Sequence, residues 1–249
     1  PGEEVCIRLN PEVVAGAHEY IKTGGKETKF GINIADLPTV LKIAQDYNLR
    51  IVGVHEHTGS GIPEQVQMMQ GMDRILTEVT PQRFPHLRFL NFGGGIKISY
   101  DHSESDFDIA SFGKSVGDKL ESFASSFGTD LEVQFEPGKY LVAESGYLVV
   151  RATTIKDNSG RLIAGVDSGF NHLIRPMFYQ AHHEIANISN PNGDPKIYDL
   201  VGNICESGDH FAKNRSIPEI REGDLLVIMD AGAYGYTMAS EYNMRPMPA

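Results

Sequence analysis

The chain has 249 residues, 41% hydrophobic and 22% charged, which suits an ordinary globular protein with length enough for a sizeable core and two domains. Lys and Arg number 22 against 33 Asp and Glu, and the resulting net charge of −11 argues against nucleic acid as the main partner. No apolar run approaches the roughly 18 residues of a membrane span, and the opening PGEEVCIRLN has neither the basic flank nor the apolar core of a signal peptide, so no membrane partner and a cytoplasmic location are expected. Two cysteines far apart, Cys6 and Cys205, exclude a disulfide scaffold.

In chain order, Val5 to Asn10 reads as a strand that begins at once, as a piece of a longer protein would. Pro11 to Thr28 is polar and irregular with a turn at Thr23-Gly24-Gly25, and Lys29 to Ile32 looks like a short strand. Leu37, Val40, Leu41 and Ala44 give helical spacing to Ile34–Asn48. The strand Arg50–Val54 then delivers His55-Glu56-His57-Thr58-Gly59-Ser60. A helical segment, Pro63–Glu78, leads to the strand Leu87–Phe92, which delivers Gly93-Gly94-Gly95. A second helix, Ile109–Phe127, precedes Leu131–Tyr140, where Leu131, Val133 and Phe135 alternate with Glu132, Gln134 and Glu136 until Pro137-Gly138 stops the pattern.

Right-handed crossovers make such strands parallel and bring their loops to one face, the C-terminal face where barrel and doubly wound enzymes keep their sites. Four or five strands are too few to close a barrel of eight. After Pro137 the helical spacing disappears. Tyr147–Ile155 and Leu162–Val166 flank a hairpin signal at Asp157-Asn158-Ser159-Gly160, and short apolar runs follow at Ile197–Val201 and Asp224–Met229. The expected fold class is α/β plus β: residues 1–146 form the later part of a TIM-type (β/α)8 barrel, and residues 147–249 a mostly antiparallel β domain.

The glycine triplet frees backbone N–H groups for an anion and Ser60 adds a hydroxyl, although a tight turn explains the glycines equally simply. His55 and His57 could begin a zinc site, but the later strand ends carry glycines and one glutamate, so no metal is expected. Glu136 is either a solvated strand-end carboxylate or one facing a ring, where it would keep a pyridine nitrogen protonated. Arg175 and Tyr179, four apart, suit a substrate carboxylate if their segment is helical; His182 and His183 read as polar helix residues. Cys205 and Glu206 share a loop in which the thiol is filler, proton donor or nucleophile, and Tyr234 follows the strand Leu225–Met229.

Together the segments RLNPEV (8–13), TGGKETKFGI (23–32), GVHEHTGSGI (53–62), NFGGG (91–95), FEPGKYLVAESG (135–146), VDSGFNHLIRPMFYQAHHEI (166–185), VGNICESGD (201–209) and DAGAYGYTMASEYNMRPMPA (230–249) resemble the fold-type III pyridoxal-phosphate decarboxylases. RPMFYQAHHEI favours the diaminopimelate branch over ornithine or arginine relatives. The resemblance implies pyridoxal 5'-phosphate as cofactor and decarboxylation of meso-2,6-diaminopimelate to L-lysine and CO2, the last step of lysine biosynthesis. It places His57 on the cofactor ring, Ser60, Gly93, Gly94 and Gly95 at the phosphate, Gly138 in the cofactor loop, Glu136 on the pyridine nitrogen and Tyr234 at the phosphate or ring. It further assigns Arg175 and Tyr179 to the substrate carboxylate, Glu206 to the distal amino group and Cys205 to proton delivery. A head-to-tail homodimer with shared sites is implied.

Three departures stand out. Lys139 replaces the arginine that usually follows Glu-Pro-Gly, Lys97 replaces a glycine, and the family's Schiff-base lysine has no counterpart, Lys29 having its own match in the family. The chain is therefore expected to lack an N-terminal part and to stop short of the family's usual end. A decarboxylase for another amino acid or a carrier-bound substrate, and a lysine-less non-catalytic cofactor-binding or regulatory homologue, are the rival readings.

Overall fold

A computed structural model describes residues 2–13 and 28–248, so the turn expected at Thr23-Gly24-Gly25 lies outside the described residues. The chain divides into two compact units, Pro1–Ile98 with Asp106–Gly138, and Ser99–Ser105 with Lys139–Ala249.

The first unit is built on five parallel strands: β1 (Glu4–Asn10), β2 (Ile32–Asn33), β3 (Arg50–His55), β4 (Phe89–Asn91) and β5 (Glu132–Gln134), in the order β2-β1-β3-β4-β5. Among the described residues, the helices α1 (Leu37–Asp46), α2 (Gln65–Glu78) and α3 (Ile109–Phe127) connect β2 to β3, β3 to β4 and β4 to β5. Register explains the two faces. Ile7 pairs with Val54, Val54 with Leu90 and Leu90 with Val133, which makes one apolar row. Its first three members are buried, each worth about 1.5–3 kcal/mol relative to exposure. The alternate row is Arg8, His55, Asn91 and Gln134, paired in that order. Strands covered on both sides normally read as continuous apolar runs, so a polar row on one face is a departure with a purpose.

The helices follow their local chemistry. Asp108 caps α3 by accepting the Ser111 N–H at 2.9 Å, and Gly128 at φ +82 ends it. The helix expected from Ile34 starts instead as a 3-10 turn over Ile34–Asp36, with Pro38 in the first α-helical turn. The strand expected over Leu131–Tyr140 pairs only over Glu132–Gln134, because Pro137 ends it and a short helix, α4 (Gly138–Val142), follows. Val133, expected inside, is 37% exposed: β5 is the last strand in the described sheet and its side chains have strand neighbours on one side alone.

The second unit holds a six-stranded sheet of β6 (Leu148–Asn158), β7 (Arg161–Val166), β8 (Ile185–Asn187), β9 (Pro195–Val201), β10 (His210–Pro218) and β11 (Leu225–Ile228), ordered β10-β9-β7-β6-β11-β8. All neighbours are antiparallel except β7 and β9. The β6–β7 hairpin turns through Ser159 and Gly160, both left-handed at φ +58 and +88, which matches the twist of its strands. Val150, Ala152, Ala164, Val166, Leu200 and Leu226 centre its core. One helix, α5 (Arg175–Tyr179), interrupts the strands, so helical structure does not end at Pro137 as expected.

Candidate active site

The polar row of the first unit ends at the C-terminal edge of its sheet, and four of its five described strands hand a polar group to that edge. Arg8 is carried by β1, His55 and His57 by β3 and its loop, Asn91 and the glycine triplet by β4, and Gln134 and Glu136 by β5. Asn91 organises them. Its Nδ2 donates to Oε1 of Glu136 at 2.9 Å and to Oε1 of Gln134 at 3.3 Å, while its Oδ1 accepts the Gly93 N–H at 2.8 Å. His55 Nε2 lies 3.7 Å from Glu136 Oε1, and that carboxylate is 56% exposed, held from one side and open on the other. The Gly138 N–H donates to the Glu136 carbonyl at 2.8 Å and closes the turn behind it.

The glycines serve close packing as well as any ligand. A Cβ on Gly94 would sit 2.0 Å from the Glu136 carbonyl oxygen, and one on Gly95 2.0 Å from that of Gly59. Gly93 and Gly95 are also left-handed, at φ +62 and +101. Two of the triplet's N–H groups are engaged, by Asn91 and by His57 Nδ1, the latter at 3.0 Å from the Gly94 nitrogen. His57 is thereby fixed as the tautomer with its proton on Nε2. Burial, then Arg8 and His55, lower its pKa to about 4 against the pull of Glu136, so the ring is neutral. His55 is lowered too, by burial first and by Arg8, against the pull of Glu136. Ser60 is half-buried in the loop after His57.

In the second unit α5 does what its spacing predicts. The Arg175 guanidinium lies 6.0 Å from the Tyr179 ring centroid and 4.3 Å above that of Tyr100. Arg175 is 7% exposed, and its Nε donates to Nε2 of His183 at 3.3 Å. Half-buried Lys139 is held down to about 8, chiefly by burial and then by the charge of Arg175. Cys205 and Glu206 are exposed on the turn between β9 and β10. That turn is pinned by Asp209, whose carboxylate accepts the N–H groups of Ile204 and Phe170 at 2.8 and 2.7 Å. A Cβ on Gly208 would lie 3.2 Å from Met177 Cε, so the turn packs on α5. Tyr234 is left-handed at φ +58 and 52% exposed.

His182 and His183 are not helix residues. Gln180, left-handed at φ +54, ends α5 before them. His182 lies with Asp101 and Glu184 in a group of metal-ligand spacing, but the Arg215 guanidinium sits in it, 3.0 Å from His182 Nδ1 and 3.7 Å from Glu184. Arg8, Asn91, Gln134, Tyr100 and His183 escaped the sequence reading. The signal for Arg8, Asn91 and Gln134 was period-2 placement of polar side chains in strands too short for the pattern to declare itself.

The profile described as "Pyridoxal-dependent decarboxylase, pyridoxal binding domain" matches residues 1–143. The chain belongs to the pyridoxal-dependent decarboxylases. Diaminopimelate decarboxylase of Methanothermobacter thermautotrophicus is 41% identical over 100% of this chain and 59% of its own length. The enzyme of that name from Escherichia coli strain K12 is 34% identical over 99% of this chain and 61% of its own. The crystal structure of diaminopimelate decarboxylase from Helicobacter pylori complexed with L-lysine superposes with a TM-score of 0.89 at 33% identity, covering 99% of this chain and 60% of that one. The chain thus spans about three-fifths of the length of these relatives. The fold is that of this decarboxylase family, part of a TIM-type barrel followed by a β domain, as the sequence predicts.

The cofactor of these decarboxylases is pyridoxal phosphate, and the residues of the first unit fit it. An open carboxylate braced by Asn91 is a partner for a protonated pyridine nitrogen, and a neutral imidazole held edge-on by Gly94 is a flat surface for a ring. Lys29 is exposed, with its Nζ over the Phe30 ring at 5.1 Å.

Proposed function

We propose that the protein containing this chain converts meso-2,6-diaminopimelate to L-lysine and CO2 with pyridoxal phosphate, as the last step of lysine biosynthesis. The observation that carries the reading is the seat of Glu136, an open carboxylate at the C-terminal end of β5 held by Asn91 beside His55. L-lysine bound to the Helicobacter pylori relative supports the substrate.

Pyridoxal phosphate supplies the electron sink for the electron pair left when CO2 departs. Glu136 would hold a proton on the ring nitrogen, because a carboxylate in that place favours the cationic ring by direct charge pairing. His57, a neutral imidazole, would lie against the ring. Ser60 and the Gly95 N–H would hold the phosphate, while Gly93 and Gly94 shape the loop with their own N–H groups turned to Asn91 and His57. Gly138 closes the loop behind Glu136, and Tyr234 is a further residue proposed to contact the cofactor.

Arg175 and Tyr179 take the substrate carboxylate, Glu206 the distal ammonium, and the Cys205 thiol delivers the proton that replaces CO2. The exposed turn carrying Cys205 and Glu206 suits a head-to-tail homodimer in which it completes the partner's site. Residues 1–146 form the barrel part and 147–249 the β domain of a cytoplasmic enzyme with no nucleic-acid or membrane partner; no described helix is long and apolar enough to cross a membrane. Lys139 puts a point charge where the family usually has an arginine fork, and Lys97 adds a charge where it usually has a glycine.

The test is CO2 release by the full-length protein, supplied with pyridoxal phosphate, from meso-diaminopimelate, ornithine, arginine and L-lysine. We expect kcat/KM for diaminopimelate to exceed the others by roughly 10⁴-fold, the scale for a site built around a polar group that its competitors lack. Equal values for ornithine or arginine overturn the assignment.

A further inference from the structure

Arg175 presents an unusual balance of charge. It is almost fully buried, and its cationic neighbour Lys139 repels it. Among the described residues no carboxylate forms a salt bridge with it. A buried guanidinium gives up hydration and needs substitutes. Two are present. The guanidinium carbon lies over the Tyr100 ring, 4.3 Å from its centroid, within the range of a cation–π contact. The second is His183, 0% exposed, which accepts the Nε–H at 3.3 Å.

His183 is itself oriented. Its Nδ1 lies 2.8 Å from the Met229 carbonyl oxygen, which only accepts, so Nδ1 carries the proton and Nε2 presents a lone pair. The result is a directional chain: His183 donates to Met229 and accepts from Arg175. The Tyr100 and His183 rings also meet edge to face at 5.0 Å, so the two supports brace each other. With Nε engaged by His183 and Tyr100 covering one face, a bidentate grip on a carboxylate falls to the two Nη groups.

We infer that His183 and Tyr100 are positioning residues that fix the plane and direction of the Arg175 guanidinium for the substrate carboxylate, His183 as hydrogen-bond acceptor and Tyr100 as stacking platform. The inference rests on Arg175 being the carboxylate contact proposed above. It also assigns a function to the second histidine of the HHEI stretch, which the sequence alone places among polar helix residues. His182 beside it has different work, in the cluster with Arg215 and Glu184.

The test uses the full-length protein with its cofactor and reads KM and kcat separately. His183→Asn keeps a donor for Met229 but removes the acceptor for Arg175, whereas His183→Gln reaches the Nε2 position with an amide oxygen. We expect His183→Asn to raise KM for diaminopimelate at least about tenfold, the scale of a lost hydrogen bond to a charged group, with kcat within about threefold. His183→Gln should recover most of the loss, Tyr100→Phe should be neutral, and Tyr100→Leu should raise KM as His183→Asn does. Arg175→Gln separates the two ideas. If it leaves KM unchanged, the carboxylate assignment has failed. If it raises KM while His183→Asn and His183→Gln are indistinguishable, the positioning role is wrong. Should His183→Asn fail to fold, ¹⁵N NMR of the parent protein decides: a proton on Nδ1 with Nε2 bare is expected, and a proton on Nε2 overturns the proposal.

Discussion

Gly94 donates its backbone N–H to Nδ1 of His57 at 3.0 Å, and this one bond settles the tautomer and the angle of the imidazole. It also forbids a proton on Nδ1, in line with a pKa near 4 that burial, Arg8 and His55 impose. We expect NMR titration to show a neutral His57 ring down to about pH 5, with its midpoint near 4. The sign for stability follows from linkage. The folded pKa lies below the unfolded value of 6.5, so the unfolded chain binds more protons in between, and stability is lost as pH falls from 6.5 towards 4. His183 adds to the loss over the same window. In urea unfolding, His57→Gln should flatten that acid-side slope, and an unchanged slope would show that His57 ionises as readily in the folded chain.

Glu56 behaves in the opposite sense. It follows Val54 on the helix-facing side, 2% exposed, with Thr58 Oγ1 donating to it at 2.8 Å. A Cβ on Gly71 of α2 would lie 3.5 Å from its Oε2, so the helix closes over the carboxyl. Burial pushes its pKa up to about 8 although Thr58 and Arg8 pull it down. The folded form therefore holds a proton that the unfolded chain releases near 4.5, and this stability is present in full below 4.5 and lost as pH rises through 8. Glu56→Gln should leave stability at pH 4.5 little changed and raise it at pH 8, measured by urea midpoints. A variant less stable at both pH values would mean that the carboxylate is satisfied in its ionised form.

The two glutamates show how far the sequence could be read. Glu136 was legible because alternation with Leu131, Val133 and Phe135 and the stop at Pro137 put a carboxylate at a strand end, where the structure has it. Glu56 was not, because a buried protonated acid has the same letter as a solvated one, and Gly71 closes over it from elsewhere in the chain. Helix α3 was read to its ends because Asp108 and Gly128 cap it within the local sequence. Strand β10 was missed because its register shifts twice and Asn214 is left-handed, which breaks the period of 2 on which the reading depends. The pairing of Arg175 with His183 was hidden for a related reason: Gln180 reverses the backbone between them, and helical spacing stops being a guide to contact.

Asp209 accepts two backbone N–H groups, from Ile204 and Phe170, and so ties the Cys205 turn to the segment before α5. Its fit is tight enough that a Cβ on Gly202 would lie 2.2 Å from Oδ2. Asp209→Asn turns one acceptor into a donor facing a donor. We expect about 1–3 kcal/mol of destabilisation, the cost of leaving a buried N–H unpaired. Faster reaction of Cys205 with a thiol reagent should accompany it, measured in a Cys6→Ser background because both thiols are exposed. Unchanged stability with unchanged thiol reactivity would mean that Gly208 against Met177 holds the turn unaided.

Glu136 gives the sharpest separation between binding and chemistry. Its carboxylate is braced by Asn91 at 2.9 Å and flanked by His55, but the loop backbone around it is held by bonds of its own: the Glu136 N–H to the Gly93 carbonyl at 2.7 Å and the Gly138 N–H to the Glu136 carbonyl at 2.8 Å. Glu136→Ala should therefore leave the phosphate loop and the glycine packing in place and remove only the charge opposite the ring nitrogen. In the full-length protein we expect the cofactor dissociation constant to rise by less than about tenfold. The turnover number should fall by roughly 10²–10⁴-fold, the range for losing a group that controls a proton in the reaction. Asn91→Ala should give a milder version of the same split, because the carboxylate then keeps its charge and loses its brace. Equal losses of turnover and cofactor affinity in Glu136→Ala would place the residue among those that merely hold the ring, and the role of proton keeper would have to pass to another group.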